Sequence, residues 1–243
     1  MEHDHSIMKR FLRWTLGLSA TCAAALGIGV LWLSLTSVSA KDLPTLQTGD
    51  IVFQESGNSQ SFAIALASGS LYTHTGLIEI SADGRVNVVE ATGPVRTTSL
   101  DKWIEHGTGG RITIKRVKGL EAYAARKALA AAHAHDGKPY DYFFYKGRDA
   151  IYCSELVHLA FKDGAGLTIG AEQRVKDLNI DNAAVRSLIE ARWLQYPECV
   201  AKKAASFEAC YPMILEETLV TPASVARDAK LETIFTNFGP VGD

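Results

Sequence analysis

No charged residue occurs between Trp14 and Ala40, and this constrains the chain more than any other feature. The stretch from Leu16 to Leu35 is already long enough to cross a bilayer as a helix. A soluble core able to bury such a helix is larger than the rest of the chain offers, about 200 of its 243 residues. Lys9, Arg10 and Arg13 flank the run on its N-terminal side. Two outcomes fit. One is an uncleaved anchor from about Trp14 to Val38. The other is a signal segment cut after Ala40, where "VSA" supplies the small residues. Signal peptides usually carry an apolar run of only about 7–15 residues, which weighs toward the anchor. In both, the basic flank stays in the cytoplasm, and residues 41–243 are expected on the periplasmic side of the inner membrane. The chain then divides into a basic tail (1–13), an anchor or signal segment (14–40) and one domain (41–243).

That location bears on the cysteines. Cys22 lies inside the apolar run and lacks the small-residue context of a lipoprotein cleavage site, so it reads as membrane filler. Cys153, Cys199 and Cys210 remain, an odd number in an oxidising compartment. Cys199 and Cys210 are eleven positions apart between Pro197 and Pro212, and a disulfide closing that loop is expected. Cys153 is then the unpaired thiol.

The domain alternates between strand and helix signals. "LQTGDIVFQ" (46–54) and "RITIKRV" (111–117) read as strands. "HTGLIEIS" (74–81) and "RVNVVEAT" (85–92) flank Asp83-Gly84, a strong hairpin signal. "SQSFAIALASGS" (59–70) reads as a helix capped by Ser59 or Ser61 and stopped at Gly69. "TSLDKWIEHG" (98–107) reads as a helical turn, and "EAYAARKALAAAHAH" (121–135) as an alanine-rich helix ending before Gly137 and Pro139. Further helices are expected at "YCSELVHLAF", from about Asn182, and at "TPASVARDA", where Thr221 is the N-cap and Pro222 the first helical residue. Early antiparallel strands and late helices make the class α+β.

Cys153 opens a helix, where N–H groups and the macrodipole favour a thiolate. A lone cysteine on a helix is more often a packed core thiol, so a base has to be found. His3 and His5 lie in the basic tail, and His106 in a glycine-rich turn. His133 and His135 diverge by roughly 200° on their helix, which argues against a shared metal. His158 lies roughly 140° round the helix from Cys153. His74, opening a strand, is left. Across the Asp83-Gly84 turn it is expected opposite a position near Glu90, a carboxylate set among Val88, Val89 and Ala91 that needs a partner. Glu79 approaches the turn end and is the weaker candidate.

"YCSELV" resembles the block that opens the catalytic helix of the NlpC/P60 cysteine peptidases. In that family the cysteine precedes the histidine, whereas here His74 precedes Cys153. The reversed order resembles the circularly permuted YiiX/YebB-like branch, related to the lecithin:retinol acyltransferase group. "TGDIVFQ", "SQSFAIA", "YTHTGLI", "VVEATGPV", "GKPYDYFF" and "LVTPASVARD" resemble the same branch and span most of residues 46–229. The resemblance implies a permuted papain-like fold, with an antiparallel sheet packed on the helix that carries the cysteine. It implies Cys153 as nucleophile, His74 as general base and acid, and Glu90 as the orienting third member. The Cys153 N–H would contribute to an oxyanion hole. Tyr152 stands where the non-permuted family often has Asp, so the substrate need not be peptidoglycan. Tyr152, Gln54 and Tyr140 are candidate substrate-binding residues.

Three functions follow from this set: a hydrolase of an amide or ester in a cell-wall peptide or lipid-linked substrate, an acyltransferase using the same thioester with a lipid acceptor, or a non-catalytic binding domain. A net charge of −2 provides no field to recruit nucleic acid. No HExxH pattern is present, and "GTGG" (107–110) lacks the Lys and helix of a phosphate loop, so neither a metal nor a cofactor is expected.

Overall fold

The hairpin foreseen around Asp83-Gly84 supplies two interior strands of a six-stranded antiparallel sheet. In the computed structural model, residues 38–145 and 147–239 are described, and those from Val38 onward belong to one unit. The anchor or signal segment, up to residue 37, lies outside the described residues. Among the described residues no helix is long and apolar enough to cross a membrane. The sheet runs in the order β4-β3-β2-β1-β5-β8. Its strands are β1 (Ile51–Ser56), β2 (His74–Ile80), β3 (Val86–Ala91), β4 (Val95–Ser99), β5 (Gly107–Val117) and β8 (Leu231–Thr236). A separate short ladder joins β6 (Glu172–Arg174) to β7 (Thr218–Val220).

Alternation gives the sheet two apolar faces. Ile51, Phe53, Leu77 and Val89 pack with Leu156 and Val157 of a helix that begins at Cys153. Val52, Ile78, Val88, Ile112 and Ile114 pack with Trp103 and Ile104. The helices are α1 (Ser59–Ser68), α2 (Leu100–His106), α3 (Ala122–His133) and α4 (Cys153–Leu159), followed by α5 (Ala183–Glu190), α6 (Pro197–Ala201), α7 (Phe207–Glu216) and α8 (Pro222–Ala226). A π-helical turn, Ala160–Ala165, continues α4. It crosses α3 so closely that a Cβ on Gly164 would overlap the backbone of Lys127 and Ala128. The alanine face of α3 (Ala125, Ala128, Ala132) permits that approach.

Three local expectations need correction. Asn58, not Ser59 or Ser61, caps α1, its Oδ1 accepting from the Ser61 N–H at 2.8 Å. Pro197 and Pro212 do not bound a loop: Pro197 opens α6 and Pro212 lies inside α7. The Cys199–Cys210 disulfide (Cα–Cα 5.3 Å) therefore ties two helices together. Finally, Leu77 pairs with Val89, so the register continues to place Gly76, rather than His74, opposite Glu90. Thr221 does cap α8, accepting from the Ser224 N–H at 2.9 Å.

Helices α5, α6 and α7 form a cap with a core of its own. Val185, Tyr196, Cys199, Cys210 and Ile214 pack there with Val175, Ile180 and Ala63 of α1.

Candidate active site

His74 and Glu90 are a diagonal pair on neighbouring strands, and the residue between them explains how they meet. A Cβ on Gly76 would lie 2.5 Å from Val88 Cγ1, 2.9 Å from the Val89 carbonyl oxygen and 3.4 Å from Glu90 Cβ. Only a bare backbone lets β2 and β3 close here, so that the carboxylate can reach along the strand to the ring. His74 Nε2 and Glu90 Oε2 are 2.6 Å apart. The other carboxylate oxygen accepts from Thr98 Oγ1 at 2.6 Å, and Arg96 Nε lies 3.8 Å from it. The His74 ring stacks on Trp103, with centroids 6.0 Å apart and planes inclined by 27°.

With Nε2 engaged by Glu90, Nδ1 is the nitrogen left for Cys153, with which His74 also forms a side-chain hydrogen bond. Cys153 is buried at the first turn of α4, preceded by Tyr152 in extended conformation. Backbone N–H groups of Thr75 and Ser154 also point to its sulfur. Burial favours the neutral thiol, but the hydrogen bond and charge of His74, with those two amides, outweigh it and lower the Cys153 pKa. Burial likewise opposes a charged imidazole, and the hydrogen bonds and charges of Cys153 and Glu90 overcome it, raising His74 to about 10. For Glu90, burial would raise the pKa, but His74, Thr98 and Arg96 bring it below its usual value. All three directions describe a buried thiolate–imidazolium pair backed by a carboxylate.

The structure brings two of the three candidate substrate-binding residues to this centre. The Tyr140 hydroxyl hydrogen-bonds the Cys153 side chain, and its own ionisation is suppressed by burial and by the neighbouring sulfur. Gln54 pairs with His74 across β1 and β2 and is buried, its Oε1 without a hydrogen-bond partner among the described residues. Tyr152 is turned elsewhere. Its hydroxyl accepts from the Val220 N–H at 3.1 Å and its ring packs edge-on against Phe144. His158 and His133 stay apart, His158 Nδ1 meeting the Ile169 carbonyl at 2.9 Å and His133 lying between Asp136 and Glu79, whereas His106 lines the cleft beside His74.

Two spaces meet at the centre. A polar cleft of about 710 Å³ is lined by Gln54, Asn58, His74, Glu90, Arg96 and Tyr140. An apolar cavity of about 120 Å³ has Cys153 and Ser154 in its wall, with Ile64, Phe144, Leu188 and Ile214. Ile64, Tyr142 and Arg192 line both. Arg192 donates to the Tyr142 carbonyl and to Gln60 Oε1, each at 2.8 Å. Sequence reasoning did not find Arg96, Thr98 or Arg192. The β-branched alternation of "VRTTS" (95–99) was the available signal for the first two; Arg192 lies in a segment with no motif.

A permuted order of histidine and cysteine strands and helix around a buried thiol defines a papain-like cysteine hydrolase. The chain belongs to the family of permuted papain-like amidases, the YaeF/YiiX (C92) family, whose model matches residues 45–235. It is 35% identical to YiiX of Escherichia coli K12 over 189 residues, covering 77% of this chain and 85% of that one. The crystal structure titled metalloprotein yiiX, from Escherichia coli O157:H7, superposes with a TM-score of 0.70 at 34% identity. It covers 79% of this chain and 98% of that one. Among the described residues of this chain, no three His, Cys, Asp or Glu side chains converge to hold a metal ion.

Proposed function

We propose that this protein hydrolyses an amide or ester through a Cys153–His74–Glu90 triad and a thioester intermediate. The observation that carries the reading is the buried thiol at a helix start, bonded to an imidazole whose far nitrogen is held by a carboxylate. The Cys153 thiolate attacks the acyl carbon, and the carbonyl π pair moves to oxygen. The Cys153 N–H, first in its helix and without an intrahelical partner, is a donor for that oxyanion. Collapse breaks the C–N or C–O bond, and the His74 imidazolium gives its proton to the departing nitrogen or oxygen. Water then attacks the thioester while His74 takes up its proton. The C–S bond breaks, releasing a carboxylic acid and restoring the ion pair. Glu90 keeps the ring in the tautomer and orientation both steps need, and Tyr140 donates toward the sulfur.

The disulfide supports an oxidising location, and with the uncharged N-terminal segment it supports the placement of this domain outside the inner membrane. A reporter fused after Asp243 is expected to be active only outside the cytoplasm.

Labelling with an electrophilic probe, followed by mass mapping, tests the triad. Cys153 is expected to carry the label at pH values well below the free-thiol value of about 8.5. Cys153→Ala should abolish labelling, and His74→Ala should slow turnover by on the order of 10³-fold. Glu90→Gln should cost less. Turnover should fall as pH drops through the lowered thiol pKa. It should fall again as pH rises through about 10, where His74 loses the proton the leaving group needs. Labelling that ignores His74, or follows His158 instead, would remove the assignment.

A further inference from the structure

One carboxyl in the first turn of α4 takes no part in the triad, and its surroundings are those of a neutral acid. Glu155 lies two residues after Cys153, and the N–H of Tyr152, the residue before Cys153, points to its carboxyl. The side chain thus reaches back past the nucleophile to the residue that opens the helix, which is half of a capping box. Its other oxygen, Oε2, is buried with no hydrogen-bond partner among the described residues. The two cations that act on it are committed elsewhere: Arg148 Nη1 lies 2.9 Å from Asp163, and Lys138 donates to the Arg148 carbonyl. A buried carboxylate without a paired cation takes up a proton instead. Burial accordingly raises Glu155 to about 8, with Asp141 adding to the rise and Arg148 and Lys138 opposing it. His158, Lys162, Glu172, Tyr145 and Tyr152 are the other titratable groups that share its pocket.

We propose that Glu155 is a positioning residue that works as a neutral acid: it holds the Tyr152 N–H at the start of α4, and its ionisation opposes the oxyanion formed at Cys153. This rests on the thioester reading. The tetrahedral intermediate places its new negative charge beside the Cys153 N–H. A carboxylate on the same helical turn repels that charge, and burial leaves little water to screen it. The neutral carboxyl keeps an oxygen for the Tyr152 N–H and adds no charge. Loss of its proton to solvent therefore slows acylation while the bonds among Cys153, His74 and Glu90 stay as they are. The loss comes at a lower pH than the deprotonation of His74, which is raised to about 10.

Full-length protein should be acylated with 4-nitrophenyl acetate, reading the burst of 4-nitrophenolate against pH with Cys153→Ala as the blank. Nitrophenolate leaves without needing a proton, so the limb set by His74 drops out of this assay. The expected result is a fall in the acylation rate on the order of tenfold as pH rises through about 8. Alkylation of Cys153 by iodoacetamide, which forms no oxyanion, should show no such fall. Glu155→Gln keeps the acceptor and cannot ionise, so its acylation rate should hold across the same range. Glu155→Leu loses the acceptor, so its maximal acylation rate should fall at every pH with KM unchanged. A wild-type rate that is flat through that range, or a fall that persists in Glu155→Gln, would overturn the proposal and leave the thioester intact. Absence of any acyl-enzyme on Cys153 would overturn the thioester, and the role of Glu155 with it.

Discussion

The end of the sheet that carries His74 and the cap of α5, α6 and α7 both border the surroundings of Cys153, and they are held by different forces. At the sheet end nearly every group is polar and engaged: His74 with Glu90, Glu90 with Thr98, Tyr140 with Cys153. In the cap the side chains facing inward are apolar, and a covalent bond between Cys199 and Cys210 closes them together. Short helices explain the need. Helix α6 has five residues and α7 carries Pro212 in its interior, so neither is stable by propensity. The polar side sets charge and geometry at the sulfur, whereas the cap supplies apolar wall to the cavity that Cys153 also lines. Changes on the two sides should therefore have separable effects.

The largest effect is expected on the polar side. Glu90→Ala leaves a buried imidazolium without its carboxylate and Thr98 without its acceptor. Loss of one member of a buried ion pair costs about 3–5 kcal/mol, which urea unfolding would measure. The linkage signs agree. His74 is raised, so its contribution is complete below the ordinary value of 6.5 and is lost as pH rises through about 10. Glu90 is lowered, so its contribution is present above its ordinary value of 4.5 and is lost as pH falls. The stability difference between wild type and Glu90→Ala should thus be greatest near neutral pH. A difference that stays flat into acid would mean the carboxylate is not charged in the fold.

The next effect belongs to the cap. Replacing Cys199 and Cys210 together by serine should cost about 3 kcal/mol, the entropy of releasing a loop of eleven residues. Cys153 alkylation at each pH should be unchanged, because no cap residue bonds its sulfur. A shift in the Cys153 alkylation midpoint would show that the two regions are not independent.

The same division explains what could be read in advance. Asp83-Gly84 specifies a local hairpin, so two neighbouring strands and the proximity of His74 to Glu90, sixteen positions apart, follow from one short segment. The register came out two positions away because the pairing is diagonal, and only packing against Val88 reveals that Gly76 must be bare. The edge strands were not foreseen. β8 pairs with β5 across a separation of more than a hundred residues, with Val117 opposite Leu231, and no local pattern encodes that. The papain-like arrangement of Cys153 against the sheet came from resemblance, since spacing alone could not dock the helix. The disulfide was accessible through an odd cysteine count. The cavity was not, because its wall draws on α1, residues 142–144 and the segments around 178, 188 and 219, which meet only in the folded chain.

The smallest expected effect is at Tyr152, the residue that joins the two regions. It directly precedes Cys153, and its hydroxyl accepts from the N–H of Val220, a residue of the cavity wall. The sequence allowed it to face substrate; the structure buries it among Phe144 and Val220. Tyr152→Phe keeps the ring and its packing and removes one acceptor, leaving a buried N–H unpaired. That costs about 1 kcal/mol, or roughly 2–4 °C in Tm for a domain of this size. Because the hydroxyl touches neither the sulfur nor the cleft, KM and the pH profile should stay as in wild type. The opposite pattern, an unchanged Tm with KM raised severalfold, would put the Tyr152 hydroxyl in contact with substrate and join the cap to the chemistry through this one side chain.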